Sequence, residues 1–167
     1  IVYNKPVGII CTIEKIPGNI IDAINYPGKI LPVGRLDKDS EGLILLTNHT
    51  TIINKIIHPD FEHEKEYIVT LNLPLRNQFL KQMAEGVNIG DAVTNPCIIK
   101  AEPDSKRIFC IVLKQGLNRQ IRKMCNVFDY QVLKLQRVRI MNIKLGKLKV
   151  GEWRHLTEEE IAELMHL

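Results

Sequence analysis

The stretch from Leu31 to Asn48 constrains the fold more than any other, because a polar loop runs directly into Gly42-Leu43-Ile44-Leu45-Leu46, an apolar run closed by Thr47 and Asn48. A short apolar run bounded in this way reads as a buried strand. The loop ahead of it carries Arg35 and Asp37, so Asp37 leans on rigid structure, a good place to hold a catalytic carboxylate. Spacing alone leaves a second reading open, since most loop aspartates cap turns or helices through side-chain to backbone hydrogen bonds.

The remaining elements follow from periodicity and turn residues. Ile1 to Tyr3 reads as a sheet edge, and Ile9 to Thr12 as strand-prone after the turn at Asn4 to Gly8. Ile20 to Ile24 forms a short helical stretch, and Thr50 to Ile57 a helix that stops before Pro59. Glu66 to Leu71 is a strand, and Phe79, Leu80, Met83 and Ala84 mark an amphipathic helix capped by Gly86. Val93 to Ile99 and Arg107 to Leu113 pair as a hairpin around Pro103-Asp104-Ser105. A further helix carries Leu117, Ile121, Met124, Cys125 and Phe128 on one face, with Asn118 as its N-terminal cap. Val132 to Leu145 returns to strand, and the last helix opens on Thr157 with Glu160 three residues on, a capping-box pattern. Strands outnumber helices and alternate irregularly with them. The expected architecture is α+β, a mixed, largely antiparallel sheet flanked by helices.

At 167 residues the chain falls in the single-domain range, and 45% hydrophobic with 25% charged residues is an ordinary globular composition. No apolar run reaches the length of a membrane span and no signal-peptide core opens the chain, so we expect a cytoplasmic protein with no membrane association. The four cysteines, Cys11, Cys97, Cys110 and Cys125, lie far apart without histidines at zinc-ligand spacing, and His49, His58 and His63 fit no ligand pattern. No metal is expected, and the thiols read as buried and reduced. The net charge is +4, and basic residues dominate between Lys100 and Lys149, which suits a polyanionic partner as well as a solvated surface. Arg119 and Arg122 stand in the early turns of a helix, where the macrodipole disfavours cations unless an anion faces them.

Four stretches in order carry a resemblance to RNA pseudouridine synthases: Tyr3-Asn4-Lys5-Pro6-Val7-Gly8, Gly34 to Gly42 with its Gly34-Arg35-Leu36-Asp37, Lys65-Glu66-Tyr67, and Gly116 to Met124. The likeness extends from Tyr3 through Thr157 and is strongest to the bacterial ribosomal group RsuA/RluB/RluE/RluF. It implies the pseudouridine synthase fold and a cofactor-free isomerisation of a specific uridine, in large-subunit (23S) ribosomal RNA with a transfer RNA as second target.

The resemblance also implies roles. Asp37 matches the catalytic aspartate, whose carboxylate starts breakage of the C–N glycosidic bond and must be ionised, a form that a nearby cation favours. Arg122 matches the basic residue paired with that aspartate, and Tyr67 the tyrosine stacked on the target uracil. Arg35 is placed at RNA near the extruded nucleotide, two positions from Asp37 and on the same side of an extended loop. Lys5 is expected near the site or a phosphate, Arg119 and Lys123 as further RNA contacts, and Leu36 and Ile121 as apolar packing around the base. Members of the group commonly carry a small S4-type RNA-binding domain ahead of the catalytic one. We expect it to be absent from this chain or to lie outside it, with residues 1–167 as one monomeric catalytic domain.

Three rival readings remain on residues alone. A catalytically silent RNA-binding module would not need Asp37, Tyr67 and Arg122 together. A glycosidase would want two placed carboxylates, and only Asp37 has a motif around it. A structural ribosome-associated protein would have no use for the Asp37 and Arg122 pair.

Overall fold

The computed structural model describes residues 1–167. Nine strands form one sheet: β1 Val2–Lys5, β2 Leu31–Val33, β3 Glu41–Thr47, β4 Lys65–Leu71, β5 Ile98–Ala101, β6 Ile108–Leu113, β7 Val132–Ile140, β8 Ile143–Lys144 and β9 Trp153–Arg154. Five helices accompany them: α1 Ile20–Ile24, α2 Thr51–Ile57, α3 Asn77–Glu85, α4 Gln120–Val127 and α5 Glu158–Met165. The main strand order is β5-β6-β4-β7-β3-β1-β9, with β2 added to β3 and β8 to β7. Every pairing is antiparallel except β3 with β7. The architecture is the expected mixed α+β sheet. No helix is long and apolar enough to cross a membrane.

The apolar run forms β3 as read, and Glu41 to Leu46 are all buried. β1 and β7 cover its edges, and its alternating side chains are buried on both faces, Leu43 and Leu45 with Ile52, Ile56 and Ile143, and Ile44 and Leu46 with Ile20, Ile24 and Ile30. On one side of the sheet, Phe79 and Met83 of α3 and Ile121, Met124 and Cys125 of α4 pack on Val69, Leu71, Phe109, Ile111 and Leu135. The apolar positions of both helices repeat at helical spacing, which is why each presents one stripe to the strands.

Four expectations are corrected. β1 is not an edge, because Trp153 and Arg154 pair outside it. Ile9 to Thr12 forms no strand: Ile10 makes a single bridge to Asn19, while the Cys11 thiol bonds the backbone of Leu36, so this segment braces a loop rather than a ladder. Only the end of Val93 to Ile99 is strand, since Pro96 lacks an N–H and Thr94 turns inward, its hydroxyl accepting from Val87 N at 2.8 Å. Asn118 does not cap α4. The N-cap position is Arg119, in the left-handed region at φ 50°, and the Gln120 side chain accepts from Leu117 N at 3.1 Å. The capping box of α5 is present as read, Thr157 and Glu160 bonding reciprocally at 3.1 and 2.8 Å.

Candidate active site

The Asp37 loop is held from below by a lysine. Lys5 is fully buried at the end of β1, and its ammonium donates to the carbonyls of Pro6 and Ile9 at 2.8 Å each and of Lys38 at 3.4 Å. Gly8 N donates to the same Lys38 carbonyl at 2.7 Å. Burial pulls the Lys5 ammonium below its ordinary pKa, against the raising charges of Cys11, Asp37, Asp39 and Glu41. Of its two expected places the structure keeps the first, beside the site, and corrects the second: its donors are used inside the protein rather than on an RNA phosphate. Leu36, also buried, is pinned by the Cys11 thiol at 3.3 and 3.4 Å. A short turn, Ser40 N to Asp37 O at 3.0 Å, returns the chain to β3.

Two arginines hold the loop from the α4 side. Arg119 grips Asp39 with both terminal nitrogens, at 2.9 and 2.8 Å, and one of them lies 3.6 Å from an Asp37 carboxylate oxygen. Arg122 donates to Asp39 O at 3.0 Å and to Ser40 Oγ at 3.3 Å, and its Nε lies 3.6 Å from the Asp39 carboxylate. The expected pairing of Arg122 with Asp37 is therefore corrected: the arginine beside Asp37 is Arg119, and Arg122 is bound to Asp39 and Ser40. The anion that offsets the helix-dipole penalty is Asp39, half-exposed rather than buried.

The Arg119 hydrogen bond, with Arg122 adding, holds the Asp39 carboxyl down at about 2 against an ordinary 3.8, while desolvation opposes it. A carboxyl lowered in the folded state contributes stability that is present above 3.8 and lost as pH falls toward 2. Acid titration of Asp39→Asn, followed by circular dichroism, is therefore expected to show lower stability than the parent at pH 7. That difference should vanish as pH falls to about 2.

Above this braced loop lies a cavity of about 370 Å³. Its lining includes Arg35, Leu36, Asp37, Tyr67, Arg119 and Ile121, so six of the residues singled out in the sequence line one cavity. Arg35 is exposed and makes no ion pair with Asp39 or Glu41, which bind Arg119 and Lys134 instead. Arg122 and Lys5 stand behind the loop, and Lys123 lies on α4 outside the cavity.

Sequence reasoning missed Lys65, Arg137 and Asp39. Lys65 had a signal, standing two residues before Tyr67 and so on the same strand face. Arg137 had none, because its place depends on a bulge: β7 sets Arg139 opposite Glu66 but Arg137 opposite Tyr67, leaving Val138 as the extra residue. Arg137 is buried, donates through Nε to Leu43 O at 2.8 Å, and lines the cavity.

Together these features form a cleft with one carboxylate on a braced loop, an aromatic ring on β4 across β7 from that loop's strand, and surplus positive charge, as expected for work on an extruded base of a polyanion. Comparison with known proteins agrees. The sequence profile described as RNA pseudouridylate synthase matches residues 1–127. The dual-specificity RNA pseudouridine synthase RluF of Escherichia coli K12 is 49% identical over 168 residues, covering 100% of this chain and 57% of the relative. This chain thus spans little more than half the length of that protein. The ribosomal large subunit pseudouridine synthase B of Bacillus subtilis is 32% identical over 98% of the chain and 70% of its own length. A crystal structure of a pseudouridylate synthase superposes with a TM-score of 0.88 at 32% identity, over 98% of this chain and 72% of that one. With the family profile covering most of the sequence and the same fold around the Asp37 cleft, the chain belongs to the RNA pseudouridylate synthase family.

Proposed function

We propose that this chain is a catalytic domain that isomerises a specific uridine to pseudouridine in RNA, acting as a cytoplasmic monomer. Large-subunit ribosomal RNA is the preferred substrate, in line with the name of the Bacillus relative, and a transfer RNA is the second, in line with the dual specificity of RluF. The observation that carries the reading is that Asp37 lines the same cavity as Tyr67, on a loop that Lys5, Arg119 and Arg122 all brace.

In this reading the target uridine leaves the RNA stack and enters the cavity, with Tyr67 against its ring and Leu36 and Ile121 as apolar walls. Arg35 and Arg119, at the exposed rim, meet the flanking phosphates. Asp37, whose carboxylate lies 3.6 Å from the Arg119 guanidinium, starts cleavage of the C1′–N1 bond. The freed uracil turns within the cavity and rejoins through C5. The protein supplies positioning and electrostatics, and the chemistry calls for no redox group. Incubating the chain with transcribed 23S ribosomal RNA and chromatographing the digested nucleosides is expected to reveal a pseudouridine peak at the expense of uridine. RNA binding without that peak would support a silent binding module instead.

A further inference from the structure

Lys65 enters the cavity without a counter-ion. It opens β4 on the face shared with Tyr67, and its cross-strand neighbours are Leu113 and Ile140, both buried and both in the cavity wall. Its ammonium reaches the backbone at Gly116, where an added Cβ would sit 3.6 Å from Nζ. It donates no hydrogen bond within the chain, and no carboxylate lies within 4 Å of Lys65 or Arg137. The terminal nitrogens of Arg137 also make no hydrogen bond within the protein, only its Nε being used.

Burial, and after it the charge of Arg137, pull the Lys65 ammonium below its ordinary pKa. Two cations set together in a partly desolvated cleft, with no carboxylate between them, are held at a cost in the free protein. An anion placed against them removes that cost.

We propose that Lys65, backed by Arg137, forms an anion subsite of the cavity that takes an anionic oxygen of the extruded nucleotide. This rests on the uridine-isomerase reading and extends it. When the C1′–N1 bond breaks, its electron pair passes to the uracil ring, and the charge spreads onto O2 and O4. After the turn, the C1′–C5 bond forms, C5 gives up its proton and N1 takes one, so the product has the composition of the substrate. An ammonium beside a ring oxygen stabilises the stage at which the base carries the charge. The flanking phosphodiester is the other anionic oxygen within the nucleotide, and it is charged throughout. The two sources therefore differ in whether Lys65 acts on rate or on binding.

The test uses the full chain with RNA carrying C5-tritiated uridine, and compares the parent with Lys65→Met and Lys65→Arg. Lys65→Met keeps the apolar stem and removes a cation that has no partner in the chain, so its thermal melting should be no lower than that of the parent. A single-turnover rate lowered about 10²-fold at unchanged Kd, partly recovered in Lys65→Arg, assigns the uracil oxygen. A weakened Kd whose salt slope falls by about one, with the rate unchanged, assigns the phosphodiester. In the first case the parent rate should also fall as pH rises through the lowered Lys65 pKa, and Lys65→Arg should move that limb upward. Parental rate and Kd in Lys65→Met overturn the subsite while leaving the isomerase reading intact. A parent that releases no tritium overturns the isomerase reading, and the subsite with it.

Discussion

Asp37→Asn is expected to lower the single-turnover rate of pseudouridine formation by roughly 10⁴-fold or more, the scale on which enzymes lose rate when a carboxylate of the reacting constellation is removed. The change is nearly isosteric and deletes the one charged oxygen pair that the cavity directs at substrate. Stability should scarcely move. The only ion contact of the Asp37 carboxylate is the 3.6 Å approach of Arg119, between side chains 35% and 41% exposed, a class of pair worth about 1 kcal/mol or less. RNA affinity should also persist, because the cations at the rim are untouched. Rate measurement beside a filter-binding Kd and a melting curve separates the three quantities. A variant that loses affinity but keeps its rate would place Asp37 in binding rather than chemistry.

Gly42→Ala is expected to cost about 3 kcal/mol or more of stability, through overpacking against backbone together with a positive φ. At this size of chain that is a fall in melting temperature of roughly 10 °C. Gly42 has φ 111° and lies where β3 runs parallel to β7, opposite Arg137. An added Cβ would stand 2.7 Å from Arg137 N and closer still to its carbonyl oxygen, and neither backbone atom can yield without breaking the only parallel junction in the sheet. The same shift would disturb Arg137 and the strand that carries the Asp37 loop, so activity should fall together with stability. Thermal melting measures the effect, and a variant that melts with the parent would contradict the close approach. The role of this glycine is to let two strands touch.

What the chain revealed before its structure follows from how local each determinant is. The buried strand β3, the helix α2, the capping box at Thr157 and the hairpin of β5 with β6 depend on neighbours in sequence, and all were legible. The loop residues Arg35, Leu36 and Asp37 were legible for the same reason, and Tyr67 and Ile121 through their motifs. The rest depends on partners distant in the chain. β1 lost its edge to two residues more than 140 positions away. Arg122 turned from Asp37 to Asp39 because the loop folds back at Ser40, which brings the second aspartate to α4. Lys5 was expected near the site or a phosphate, and only the fold shows the carbonyls of Pro6, Ile9 and Lys38 taking up its ammonium. Arg137 was invisible because a one-residue bulge decides which side chain of β7 faces Tyr67.

The most direct test of the account is tritium release from uracil C5 in transcribed ribosomal RNA, measured for the parent chain and for Asp37→Asn side by side. Rejoining through C5 expels the proton held there, so the parent should release tritium stoichiometrically and the variant none above background. Equal release by both would contradict the assignment of Asp37, and silence from both with RNA still bound would contradict catalysis by this chain.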